Sequence, residues 1–467
     1  MAKSICAYGL GVLRVLHAYF LLSHKKSMKS KKHLSFTELR KAFSSLLRQL
    51  PDKRQQAKVN YSLHDAMMCG FACMYFQDPS LLQFQIQLRD AENRDNLMTL
   101  FEVSDIPEDT QLRDIVDGIH SEQLRPIFKE YFSRLHRGKH LEQYQFFPGF
   151  YLCSIDGTQY YSSGEISCNS CLKTNHRNGQ TTYAHKVLQA AIMHPDMRQV
   201  IPLMPEEIRN TDGTEKQDCE TNAGKRLIPK IRKDHPQLGI IIVGDDLFSK
   251  EPFIRTILSE RMHYILVAKE TDHIAMMNAI NQSDRLQEIR SLDEKGRTHV
   301  YEWINGVPLT GNNKPILTNF FRYTILATDE NGNEKINFRN SWVSDLELTR
   351  EHIKHLVRGG RCRWKIENEC FNTLKNQGYH IAHNYGHGKK NLCFNFYLLT
   401  LLAFFFHQIF ELTDRLYQAC RRKFGSKRHM WETFRSYIKI LIFETWEHLL
   451  DFALTPKKYS LGWTRAP

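Results

Sequence analysis

GIIIVGDDLFS, Gly239–Ser249, is the clearest strand in the chain. Its run of Ile, Val and Gly, closed by two aspartates, fits a parallel strand buried on both faces and ending at a site. Either acid, Asp245 or Asp246, suits such a site; alternatively the pair caps a following helix, Glu251–Arg261. Met262–Lys269, MHYILVAK, reads as a further strand. Upstream, Gln217–His235, QDCETNAGKRLIPKIRKDH, reads as a helix with Pro229 disturbing its middle.

Further toward the N-terminus, Phe146–Gly164 reads FFPGFYLCSIDGTQYYSSG. Tyr151–Ile155 is a short apolar strand closed by Asp156-Gly157, which is either a carboxylate at a sheet edge or an ordinary hairpin turn. Tyr183–Met193 and Arg198–Leu203 alternate as strands. Between these segments lies CNSCLKTNHRNGQTTYAHK, in which Cys168 and Cys171 form one CxxC with His176 and His185 downstream. A four-ligand zinc site can be drawn from them, but no second CxxC and no H-x3–5-H pair accompanies it. Plain packing is therefore the expectation, and zinc is not.

Toward the C-terminus, His299–Ile304, Phe320–Thr328 and Lys335–Val343 read as strands separated by turns at Asn305-Gly306, Asn312-Asn313 and Asn331-Gly332. Arg361–Gly388, RCRWKIENECFNTLKNQGYHIAHNYGHG, then opens as a helix anchored by Trp364, Ile366, Cys370, Phe371 and Leu374, with Gly378 as its stop. Arg363 and Glu367 lie four apart, so one face carries a guanidinium beside a carboxylate.

Arg-Trp-x-Ile-Glu followed by Phe and Lys resembles the glutamate signature of the DDE transposases of bacterial insertion sequences, in the branch reading Tyr-x2-Arg-x3-Glu-x6-Lys. Arg363 and Glu367 fit its Arg-x3-Glu portion. Gly360 stands at the Tyr position, and Lys375 falls eight rather than seven residues after Glu367. On an α-helix that extra step turns Lys375 by about 100° from the face of the family's lysine. Glu369 is the rival carboxylate. The resemblance also aligns Gly244-Asp245-Asp246-Leu247-Phe248 so that Asp245 is the second aspartate, with Asp246 in a small-residue position, and it makes Asp156 the first. It implies a ribonuclease-H-like α/β core with a β-rich insertion between the second Asp and the Glu. Asp156, Asp245 and Glu367 would be catalytic and would bind Mg²⁺, with Mn²⁺ as a substitute, supported by Arg363 and Lys375. His383 and His387 would reach the DNA backbone, or else serve as plain loop residues. The activity implied is cleavage and strand transfer of an element's DNA ends by a homodimer, in the bacterial cytoplasm and on the nucleoid during action. A metal-dependent nuclease or a non-transposing DNA-binding descendant is the alternative.

The resemblance covers most of residues 36–420. The chain's 467 residues, 42% hydrophobic, suffice for two or more domains, and 64 Lys+Arg against 51 Asp+Glu give +13, a balance suited to a polyanion. Eleven scattered cysteines do not form a disulfide framework, which predicts a reducing compartment. Residues 1–27 read as an upstream extension, with Met28 the more natural start, and are too short and too polar to span a membrane. Residues 28–145 read as a helical, basic, DNA-binding region without a zinc finger or a clear recognition helix. There Lys31, Lys32, Lys41 and Arg48 ride an amphipathic helix that Pro51 ends. The catalytic core occupies 146–270 and 350–412, the β insertion 271–349, and a basic helical tail 413–467. Within the core, Leu392–Phe410 approaches membrane-span length, but its pattern is also that of a fully buried helix, and no membrane partner is expected.

Overall fold

The computed structural model describes residues 32–55, 57, 59–89, 95–209, 217–328, 334–383 and 385–458. The proposed extension, Lys31 and the Asn331-Gly332 turn lie outside the described residues. The protein is mixed α/β, with a helical N-terminal region and one large mixed sheet.

The strands are β1 (Gln145–Phe147), β2 (Phe150–Ser163), β3 (Leu172–Asn175), β4 (Thr181–Met193), β5 (Ile201–Pro202), β6 (Glu206–Ile208), β7 (Gly239–Gly244), β8 (His263–Val267), β9 (Gln287–Leu292), β10 (Thr298–Pro308), β11 (Leu317–Thr328) and β12 (Glu334–Ser344). The sheet runs β3-β4-β2-β7-β8-β12-β11-β10-β9. β2 pairs antiparallel with β4 but parallel with β7, and β7 is parallel to β8. β7 is buried along nearly its whole length, as its uniform Ile/Val composition requires of a strand covered on both faces. Helix Glu220–Asp234 packs against β4 and β6 and helix Glu251–Ser259 against β8; the first runs unbroken through Pro229.

Several readings need correction. Asp156-Gly157 is not a turn, because β2 continues to Ser163, held by β4, after its pairing with β7 has ended at Ser154. Asn305-Gly306 is a bulge inside β10, where the register to β11 shifts and Gly306 takes φ +69°. The insertion has an additional strand, β9, too polar to stand out by pattern. Phe434–Phe452 is two helices, Lys427–Ile440 and Trp446–Leu454.

Leu392–Thr413 is the central helix of the helical part. Among the described residues it alone is long and apolar enough to cross a membrane, and 94% of its most apolar stretch is buried in protein. Its Phe406 ring lies 5.2 Å from Phe71 of the N-terminal helix Leu63–Tyr75, and Phe410 lies 6.1 Å from Trp446 of the C-terminal helices. Phe36 stacks on Trp446 at 5.3 Å, so the two ends of the chain share one aromatic core. Arg435 adds hydrogen bonds to the carbonyls of Phe76 and Gln77. The helix Phe36–Gln49 is capped by Ser35 and buries Leu39, Phe43 and Leu47, leaving Lys41 and Arg48 exposed; Lys32, also exposed, lies before the helix in the short turn Lys32–Leu34.

Candidate active site

Parallel pairing sets the first two aspartates side by side. Ser154 of β2 is in register with Val243 of β7, and the same offset two residues on puts Asp156 beside Asp245. At that point β7 has ended, and both aspartates are half-buried. Asp245 is oriented by its own backbone, accepting from the Leu247 amide at 3.0 Å. Asp246 turns the other way, to Lys269 Nζ at 2.8 Å. Neither caps the helix Glu251–Ser259, whose N-cap is Lys250.

The third carboxylate arrives from the far side of the insertion. Helix Ile353–Arg361 packs its Gly359 and Gly360 against Phe146 and Trp342; a Cβ on either glycine would come within 2.6 Å of those rings. A tyrosine at position 360 has no room against the Trp342 ring. Beyond that helix Arg363, only 12% exposed, donates to Glu367 Oε1 at 2.7 Å and to Asp156 Oδ2 at 3.3 Å. One guanidinium therefore ties Glu367 to Asp156. Glu369 faces Arg198 instead, at 3.9 Å.

Ile366–Phe371 is π-helical, with the Asn372 amide donating to the Glu367 carbonyl. A turn closed i→i−5 holds one residue more than an α turn. That extra residue absorbs the additional step to Lys375 and returns it toward the face a seventh residue would occupy on an uninterrupted α-helix. The rotation expected from spacing alone is thus largely undone. Lys375 is exposed, its Nζ 6.0 Å from the Phe371 ring centroid. Ile366, Cys370, Phe371 and Leu374 are buried as expected, but Trp364 is 53% exposed, with the Arg363 guanidinium 5.2 Å from its ring centre.

Sequence reasoning missed Glu220, at the head of the helix Glu220–Asp234. Its carboxylate lies against Gly157, where an added Cβ would fall 2.2 Å from Oε1. Burial raises its pKa and the charge of Asp245 raises it further. The QDCE wording was the available signal. Of the two histidines assigned to DNA, His383 is exposed, whereas His387 is only 9% exposed and its Nε2 lies 3.4 Å from Cys171 Sγ. An enclosed ring cannot reach a DNA backbone, so that assignment is withdrawn. His176, drawn with the CxxC, is exposed and bonds Thr182.

Burial pushes Asp156 up to about 7; Arg363 opposes the rise, and the charges of Glu367 and Asp245 add to it. Asp245 is raised as well, chiefly by burial. A carboxyl held above its ordinary value contributes stability that is complete below about pH 4 and lost as pH rises through about 7. In EDTA, Asp156→Asn is accordingly expected to be more stable than the parent at pH 8, by on the order of 1–3 kcal/mol, with the gap closing toward pH 4. Unfolding curves at the two pH values check this; a gap independent of pH would mean that the folded chain does not hold the Asp156 carboxyl above its ordinary value.

No protein-family profile and no curated protein matches the chain.

Proposed function

We propose that the chain is a DDE transposase with a ribonuclease-H-like core, cutting and joining DNA by metal-assisted phosphodiester chemistry. The observation that carries this reading is the convergence of Asp156, Asp245 and Glu367 from two adjacent parallel strands and one helix. The order antiparallel, parallel, parallel across β4-β2-β7-β8, and the β9–β12 insertion before the Glu-bearing helix, support it further.

The three carboxylates fit hard cations. They offer only oxygen donors, half-buried, and the Arg363 guanidinium offsets part of their mutual repulsion. Asp156, Asp245 and Glu367 would hold Mg²⁺, with Mn²⁺ as a substitute. When bound, such cations activate the attacking hydroxyl and neutralise charge on the leaving oxygen. Arg363 fixes the Glu367 carboxylate and offers positive charge to a phosphate. The Leu247 amide holds Asp245 in place, and exposed Trp364 presents a ring beside the site for stacking on an unpaired base. No side chain needs to become covalently attached to DNA.

The test is a strand-transfer assay of the purified protein with Mg²⁺ on DNA carrying the element's ends. Joined products support the transposase. Hydrolysis without joining indicates the nuclease, and binding without either indicates a non-catalytic descendant. A second expectation concerns grip: neutralising Lys32, Lys41 and Arg48 together weakens end binding and lowers the slope of log affinity against log salt by up to about 3. Cleavage at saturating DNA survives. An unchanged slope would give the front helices another task, such as pairing two subunits.

A further inference from the structure

Cys168 and Cys171, in the loop between β2 and β3, face His185 on β4 and His387 in the segment that follows the Glu367 helix. The two sulfurs lie 3.8 Å apart, so they form no disulfide. His185 Nε2 is 3.5 Å from Cys168 Sγ and 3.4 Å from Cys171 Sγ. His387 Nε2 is 3.4 Å from Cys171 Sγ and 3.1 Å from His185 Nε2, and all four atoms lie within 4.8 Å of one another.

A tetrahedral Zn²⁺ with Zn–S of about 2.3 Å and Zn–N of about 2.0–2.1 Å sets its two sulfurs about 3.8 Å apart, sulfur and nitrogen about 3.5 Å, and the nitrogens about 3.3 Å. The measured separations follow those values in both order and size. Hydrogen bonding accounts for a pair of such atoms but not for a four-way convergence of soft and borderline donors.

We infer that Cys168, Cys171, His185 and His387 form a zinc site. With four protein ligands and no open position it is of the closed, structural kind. The rings are also oriented from behind. His387 Nδ1 donates to the Gly388 carbonyl at 2.8 Å, which leaves Nε2 free to bind metal. His185 Nδ1 lies 3.5 Å from Glu207, itself held by the Tyr160 hydroxyl at 2.9 Å and Arg209 at 3.3 Å. The Cys168 amide approaches Cys171 Sγ at 3.4 Å, as suits a thiolate.

Such a site explains a segment with little regular structure. After the helix Asn372–Asn376 the chain turns through Gly378, Gly386 and Gly388, all at positive φ, before entering the central helix. Zinc on His387 would fasten that turn to the antiparallel β2–β4 pair carrying Asp156, and so link both sides of the carboxylate cluster. The site stands whether or not the chain moves DNA.

Metal analysis of the purified full-length chain, combined with X-ray absorption at the zinc edge, tests the inference. About one zinc per chain is expected, in a shell of two sulfurs and two nitrogens, with Co²⁺ substitution giving the visible absorption of a tetrahedral thiolate site. Cys168→Ser combined with His387→Ala should lose the metal, and Cys73→Ser, altering a buried thiol elsewhere, should keep it. A folded chain that takes up no zinc, a shell without two sulfurs, or metal retained by the double variant would overturn the site. Should the double variant fail to fold, the absorption shell of the parent protein decides alone.

Discussion

Glu367→Gln is expected to remove DNA cleavage and joining in Mg²⁺ almost completely, while Glu369→Gln stays within a few-fold of the parent. Glu367 shares the Arg363 guanidinium with Asp156, whereas Glu369 pairs with exposed Arg198. Losing an outer-shell partner of a metal costs about 10- to 100-fold, so losing a ligand should exceed about 100-fold. DNA affinity should be nearly unchanged, because the glutamine removes negative charge without disturbing the basic front helices. Single-turnover cleavage at saturating DNA, with Kd measured in parallel, separates the two effects. An active Glu367→Gln beside an inactive Glu369→Gln would transfer the role.

The largest effect on folding is expected at Asp117. The central helix enters the core with Asn391 as N-cap, and no side-chain cap comes from Asn391 itself. Asp117 supplies it from another helix: its carboxylate accepts from the amides of Lys390, Asn391 and Leu392 at 2.9–3.0 Å and of Lys389 at 3.1 Å. A helix N-terminus carries unpaired donors and partial positive charge, so one carboxylate satisfies both. Burial would raise the pKa of Asp117, but the Leu392, Lys390, Lys389 and Asn391 amides outweigh it and leave the carboxyl below its ordinary value. That contribution is present above about pH 4 and lost as pH falls through the lowered value. Asp117→Ala should therefore cost about 3 kcal/mol or more at pH 7, since it strands several donors that had a charged partner. Asp117→Asn should cost less, keeping an acceptor but not the charge. Chemical denaturation checks this; a loss under about 1 kcal/mol from the alanine would mean that water caps the helix as well.

Those residues also mark what the amino-acid order reveals. β7 was legible because a strand covered on both faces needs an unbroken apolar run, and Gly239–Gly244 has one. The different partners of Asp245 and Asp246 were not, since the two are adjacent and what separates them is Lys269, just beyond the next strand. The Arg363–Glu367 pair was legible through its spacing of four. The tie to Asp156 was not, being made across 207 residues. The turn that changes the rotation before Lys375 was not legible, because a local i→i−5 turn does not announce itself in composition. Trp364 was counted as an apolar anchor, yet half its surface is open beside the site. The fourth member of the Cys/His cluster was hidden for a similar reason: spacing rules search nearby, and His387 lies 216 residues from Cys171.

The most direct measurement is a crystal structure of the protein soaked in Mn²⁺, with the ions located by anomalous scattering. Density is expected between the carboxylates of Asp156, Asp245 and Glu367, and its loss is expected in Asp156→Asn. Ions bound instead through Asp246 or Glu369, or none among the three carboxylates at saturating Mn²⁺, would contradict the assignment.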